Sequence, residues 1–369
     1  MVEASGKESR RSDLYERQQN LHARFGLVSG WEMALSYGDP SSEHLGVRAT
    51  TGLIDLSHCG SVRVWGSEAM PFLNGLVTND VKTLAPGKGM RAAFLTGHGK
   101  VKALCRVFNL GDAYLVINDP QTHDKVLKYL FPFSYAGDFK VEDVSDRYRL
   151  LSVQGPKAHL IMKEICFEPV PELSEHAWFK TLIAGHQTFV ARTSHTGEHG
   201  FDIFVPAPAL NDVWDFILLK GEFHSIVPFG LDALDSLRIE AGIPVYGVDI
   251  DESNMMLETG LQDAVSLNKG CYTGQEAVAM ATYRGHVSKK LSGLKVKGDV
   301  VPNHGDVIQK DGKEIGFVTS ALQSSTVGSV ITLAYLKYGT FDPGNFYEIR
   351  SESANLPAEV VELPFYRAS

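Results

Sequence analysis

The sequence predicts an α+β protein of three subdomains: two related α+β units with antiparallel sheets around a central pocket, then a small C-terminal β-barrel. Three observations carry the prediction. The chain has 369 residues, more than one hydrophobic core usually serves. The order strand, turn, helix occurs twice, without the sustained strand and helix alternation of a doubly wound sheet. After Arg284 the chain changes to short strands at close spacing, as in a small barrel or sandwich. The subdomains expected are residues 1–145, 146–286 and 287–369, with the last boundary between Gly285 and Lys290.

Asp13 to Ala23 has polar helical character, and Phe25 to Tyr37 is apolar and aromatic. Leu53 to Ser57 and Ser61 to Gly66 read as strands, the second alternating as a half-buried strand does. Ala69 to Leu76 reads as a helix, with Ser67 as cap candidate and Pro71 tolerated in the first turn. Ala103 to Leu110 and Ala113 to Asn118 form a hairpin turned by Gly111-Asp112. Asp124 to Phe131 is a short helix, Tyr148 to Gly155 a strand, and Lys157 to Ile165 a helix. Gln187 to Ser194 and Gly200 to Val205 are strands flanking the loop His195 to His199, while Asn211 to Leu219 and Leu231 to Glu240 are helices. In the tail, Leu294 to Lys297 alternates, Asp311-Gly312 turns a hairpin, and Glu314 to Thr319 and Val330 to Tyr335 are strands.

Composition is that of a globular protein, 44% hydrophobic and 21% charged. A net charge of −9 argues against nucleic acid or an anionic membrane as main partner. No run of about 18 apolar residues occurs, so no membrane-spanning helix is expected. Met1 to Arg11 lacks the apolar run of a signal peptide. The cysteines Cys59, Cys105, Cys166 and Cys271 are scattered with no C-x-x-C pair, so no metal site is expected. Unpaired cysteines and the absence of a targeting segment point to a reducing cytoplasm.

Lys269-Gly270-Cys271-Tyr272-Thr273-Gly274-Gln275-Glu276 is the most informative stretch. Its two glycines place Cys271 on a tight turn or loop. Two readings follow: a thiol presented to solvent or ligand, its pKa lowered by Lys269, Arg284 and His286, or a buried cysteine in a loosened turn.

The stretch resembles the K-G-C-Y-x-G-Q-E signature of the YgfZ-type folate-binding proteins, within the superfamily of the glycine-cleavage T-protein, an aminomethyltransferase. The wider pattern is followed in order by Gly30 to Met33, Tyr37-Gly38, Glu43-His44, Arg48, Asp55 to His58, Thr78-Asn79-Asp80, Leu115 to Asn118, Gly155-Pro156, Thr196-Gly197-Glu198, Gly200-Phe201-Asp202 and Arg238 to Gly247. The resemblance implies a monomeric protein that binds tetrahydrofolate, mono- or polyglutamated, and supports iron–sulfur enzymes or their assembly factors through Cys271. It implies that Asn118 and Asp202 hold the pterin, that His195 stacks on it in place of a tyrosine, and that the Tyr246-Gly247 loop faces the central opening. A carboxylate accepts paired N–H bonds and an amide offers donor and acceptor, so these residue types suit a pterin edge. Asp202 replaces a longer glutamate, which shortens its reach by one methylene. Without the resemblance Asp202 reads as a solvent-facing strand residue and Asn118 as a turn former. Lys269 would attract the carboxylates of a polyglutamate tail.

One departure concerns chemistry. Aminomethyltransferases carry a Gly-Gly-Ile-x-Asp-Asp segment whose aspartate is taken as the acid–base group, and here Gly99-Lys100-Val101-Lys102-Ala103-Leu104 has no carboxylate. Proton transfer needs a titratable group in hydrogen-bond reach, so the competing expectation, a folate-dependent aminomethyl or other one-carbon transferase, is weakened on this point. His58 reads as a packing or hydrogen-bonding residue. His195 and His199 are four apart, but Gly197 and Gly200 argue against a helical metal pair. Arg238 and Glu240, two apart on a helix, are each expected to pair elsewhere.

Overall fold

The computed structural model describes residues 9–283, 285–352 and 354–368. Arg284, expected beside the thiol, and most of the N-terminal segment read for export lie outside the described residues. Two compact units divide the chain, residues 1–61 with 143–235 and residues 62–142 with 236–369.

In the first unit, Tyr148–Gln154 and Gly200–Pro206 are central strands of a six-stranded sheet. Its pairings are antiparallel except that Ile226–Pro228 joins Thr51–Asp55 in parallel. The helices Ala158–Ile165 and Leu210–Gly221 cover an apolar face of it. Ile161, Met162 and Ile165 recur at helical spacing on the first, Val213, Trp214 and Ile217 on the second, and all are buried. Each such side chain contributes roughly 1.5–3 kcal/mol when withdrawn from water. Pro40–Ala49 starts where Asp39 accepts the Ser41 and Ser42 N–H groups, with Pro40 preset for a first turn.

The second unit holds a five-stranded sheet, antiparallel across Gly89–Leu95, Val101–Asn109 and Ala113–Asn118, and a closed six-stranded barrel. The expected hairpin is present as Val101–Asn109 and Ala113–Asn118. The helix Ala69–Leu76 has the bounds its sequence predicts, but Ser67 does not cap it. Its hydroxyl donates to Asp138 at 2.5 Å instead. The barrel's first strand, Lys289–Val296, pairs with both Ser329–Lys337 and the last strand, Asn355–Val361, which closes the ring. Arg238 and Glu240 do pair apart: Arg238 donates to Asp249 and to Ser320 Oγ, while Glu240 accepts from Ser324 Oγ. The α+β architecture with two sheet subdomains and a terminal barrel is therefore the one expected from sequence. Among the described residues no helix is long and apolar enough to cross a membrane.

Candidate functional site

His195 and Asp202 belong to the first unit; Asn118, Tyr246, Lys269 and Cys271 belong to the second. In the first, register explains the arrangement. Asp202 lies opposite Ser152 across the antiparallel pair, and directly opposed side chains on one face touch. Ser152 Oγ donates to Asp202 Oδ1 at 2.8 Å, and His195 Nε2 lies 2.9 Å from the same oxygen. Gln154, two residues along the same strand face, donates through Nε2 to Ser152 Oγ at 2.8 Å and accepts the His195 backbone N–H at 3.0 Å. Gly200 makes room for that amide, since a Cβ there would stand 2.3 Å from Gln154 Nε2. Asp202 is 0% exposed and the His195 side chain 23%. Asp202 is thus not a solvent-facing strand residue, and His195 carries its network to the surface.

The loop that presents His195 is fixed by a buried ion pair. Arg48 Nη1 donates to Glu198 Oε1 at 3.0 Å and to the Thr196 carbonyl at 2.8 Å. His58 is buried, and burial pulls its imidazole down to about 4 against the opposing pull of Asp55. It is therefore neutral at pH 7, and among the described residues its Nδ1 has no hydrogen-bond partner.

In the second unit, Asn118 is buried at the end of its strand. Its Nδ2 donates to the Asp119 carbonyl at 3.1 Å, and its Oδ1 lies 3.4 Å from His123 Nδ1. Its turn adjoins the Tyr246-Gly247 loop, because a Cβ on Gly247 would stand 2.0 Å from Gln121 Oε1. The Tyr246 ring packs in a cluster with Ala93, Leu95 and Met256. Burial raises its phenol pKa, and Lys125 Nζ lies 3.4 Å from its hydroxyl while donating to Glu252 at 2.7 Å.

The loop from Lys269 to Glu276 is anchored through Lys269, Thr273 and Gly274, on either side of its cysteine. Lys269 is buried, and its ammonium donates to the carbonyls of Asn74, Val77 and Asn79 at 2.6, 2.7 and 2.7 Å. These lie at and beyond the end of the helix Ala69–Leu76, where carbonyls lack helical partners and a cation is favoured. Burial pulls its pKa down to about 8. With its three N–H groups so engaged, Lys269 has none left for a ligand carboxylate. The Thr273 N–H donates to Gly75 O at 3.2 Å, and its Oγ1 receives the Tyr129 hydroxyl at 3.0 Å. Gly274 has φ +82°, and a Cβ there would stand 2.6 Å from Thr96 O. Cys271 is exposed, so the buried reading of the thiol is excluded. Of the cations expected to act on it, Lys269 points at the helix end and His286 stacks on Tyr338.

The stretch Gly99 to Leu104 contributes lysines in place of carboxylates. Lys100 Nζ donates to Ser253 O at 2.7 Å, and Lys102 Nζ sits 4.0 Å from the centre of the Tyr129 ring. Among the described residues no group of three or more His, Cys, Asp or Glu is arranged to hold a metal ion. Ser152 and Gln154 escaped sequence reasoning. Two polar residues at alternate positions near the end of the strand mark a polar face, but not the partners that they meet across the sheet.

The family described as GCVT N-terminal domain matches residues 14–269, and that described as Glycine cleavage T-protein C-terminal barrel domain matches residues 289–367. The chain is 32% identical to the aminomethyltransferase of Bacillus subtilis (strain 168) over 357 residues, 96% of this chain and 98% of that protein. It is 34% identical over 369 residues to the aminomethyltransferase of Rubrobacter xylanophilus, covering 100% of this chain and 97% of the relative. The crystal structure of glycine cleavage system aminomethyltransferase T from Bartonella henselae superposes with a TM-score of 0.89 at 25% identity, over 97% of this chain and 98% of that one.

Proposed function

The chain belongs to the glycine cleavage T-protein (aminomethyltransferase) superfamily, and we propose that it binds tetrahydrofolate and transfers a one-carbon unit to it. The observation that carries the reading is the Gln154–Ser152–Asp202–His195 network, a buried carboxylate with an accessible ring at its end. The residues fit a pterin in kind: a carboxylate accepts N–H bonds, and the imidazole joined to it at Oδ1 offers a flat face. Asp202 takes the N–H groups of the pterin edge, and His195 supplies a face for stacking. When bound, tetrahydrofolate supplies the nitrogens that accept the one-carbon unit. Kinship with aminomethyltransferases along nearly the whole chain supports transfer over binding alone.

A second reading is favoured by a specific pair of observations. The acid–base segment lacks a carboxylate, and the complete motif presents an exposed Cys271 on a loop anchored on either side of it. In this reading the chain is YgfZ-like, binds folate without turnover, and serves iron–sulfur enzymes or their assembly factors through the thiol. One assay separates the two. Incubation with an aminomethyl-lipoyl donor and tetrahydrofolate yields methylenetetrahydrofolate if the first reading holds, whereas saturable folate binding with no product supports the second. Absence of folate binding in an equilibrium titration overturns both.

A further inference from the structure

A cavity of about 470 Å³ opens within the second unit, and its lining includes none of the residues assigned above to folate. That volume lies in the range of small-molecule sites, roughly 300–1,000 Å³. Leu257, Val265 and Phe341 give it apolar lining. One wall is aromatic: the rings of His286 and Tyr338 lie 4.2 Å apart between centroids at 34°, and Tyr338 meets Phe341 edge-on at 6.2 Å. Tyr338 is 58% exposed, an uncovered ring at the rim. Among the described lining residues Lys290 is the single side chain with a permanent charge, and none is Asp or Glu. Its ammonium stands 5.7 Å from the Phe341 centroid, and among the described residues no carboxylate pairs with it.

An apolar, aromatic-walled cavity with one unneutralised cation is complementary to a flat ring bearing one negative charge. The ring replaces water on the aromatic wall, where offset and edge-on contacts are favourable. An anion completes the ammonium, and a charge-assisted bond in a partly desolvated site is stronger than one between neutral groups. A second cation would not be tolerated there, and a purely apolar occupant would leave the ammonium desolvated and unpaired. We propose that this cavity is a binding site for a planar aromatic carboxylate, its ring against His286 and Tyr338 and its carboxylate on Lys290 Nζ.

Titration of the full-length protein with 2-naphthoate, followed by its fluorescence, tests the assignment against the neutral isostere 2-naphthamide. The expected result is saturable naphthoate binding about tenfold tighter than that of the amide, as loss of a charge-assisted contact predicts. Lys290→Met should abolish the preference while leaving amide binding in place, and Tyr338→Ala should weaken both probes. Circular dichroism of each variant establishes that it is folded. Equal affinities for acid and amide, a preference that survives Lys290→Met, or no saturation at millimolar probe would overturn the proposal. Displacement of naphthoate by tetrahydrofolate would assign the probe to the folate site and overturn it equally, and that outcome would leave the folate reading standing.

Discussion

His195 Nε2 and Asp202 Oδ1 are 2.9 Å apart, which ties a partly exposed ring to a carboxylate with no solvent contact of its own. The ring is thereby held by a strand rather than by its own glycine-containing loop. Asp202→Asn keeps the shape and removes the charge. Folate affinity should fall about tenfold or more, the worth of a charge-assisted bond, with melting temperature changed by only a few degrees. Equilibrium titration alongside thermal unfolding checks both; unchanged affinity would remove Asp202 from the folate site.

Lys269 acts as a cap for a helix it does not belong to. Lys269→Met leaves the Asn74, Val77 and Asn79 carbonyls without their shared donor. Loss of about 2–4 kcal/mol is expected, since a buried group deprived of its partner keeps its desolvation cost. Denaturant unfolding measures it, and a loss below about 0.5 kcal/mol would show the cap to be dispensable.

Stability should also depend on His58. Its folded-state pKa, about 4, lies below the ordinary 6.5 because burial disfavours the imidazolium. Between those values the unfolded chain binds more protons than the folded one. Stability contributed by the neutral ring is therefore complete above pH 6.5 and lost as pH falls toward 4, by about 3 kcal/mol in all. His58→Gln should flatten that dependence when unfolding is followed at pH 4.5 and pH 7. A variant that retains the full slope would assign the titration to another group.

Cys271 is expected to matter for activity and not for folding. Its side chain is exposed, and surface substitutions of this kind change stability by about 0.5 kcal/mol or less. Cys271→Ser should keep its melting temperature and folate affinity. Under the iron–sulfur reading it should lose its ability to sustain iron–sulfur enzymes in cells, and full complementation by the variant would discard that reading.

Gly274→Ala tests the backbone of the same loop. A φ of +82° is costly for alanine, and the new Cβ would stand 2.6 Å from Thr96 O. Strain of roughly 1–3 kcal/mol is expected, visible as a lowered denaturation midpoint; an unchanged midpoint would mean that the loop yields freely.

Local patterns were readable wherever one stretch of chain decides its own structure. Leu231–Glu240 and Ala69–Leu76 have the bounds their sequences predict, because apolar spacing and flanking breakers lie within the segment. The strands Trp178–Ile183 and Ile226–Pro228 were missed, since each becomes a strand by pairing with a distant partner. The helix Pro40–Ala49 was also missed, although Asp39-Pro40 announces it. Cys271 and Asp202 are singled out by motif resemblance, which does not say that one is exposed and the other buried. Ser152 and Gln154 are not singled out, because a cross-strand neighbour is defined by register and no local pattern encodes that. The engagement of Lys269 was equally invisible, its acceptors lying 190 or more residues away along the chain.

The closed ring at the C-terminal end has a consequence for association. Open sheets offer a row of unpaired amides and carbonyls onto which foreign polypeptide can graft itself. Gly293–Val296 and Ala358–Val361 spend those groups on each other, so a peptide seeking to be annexed as a seventh stave finds that stretch of ladder taken. Whatever adheres at this seam must be recognised through side chains.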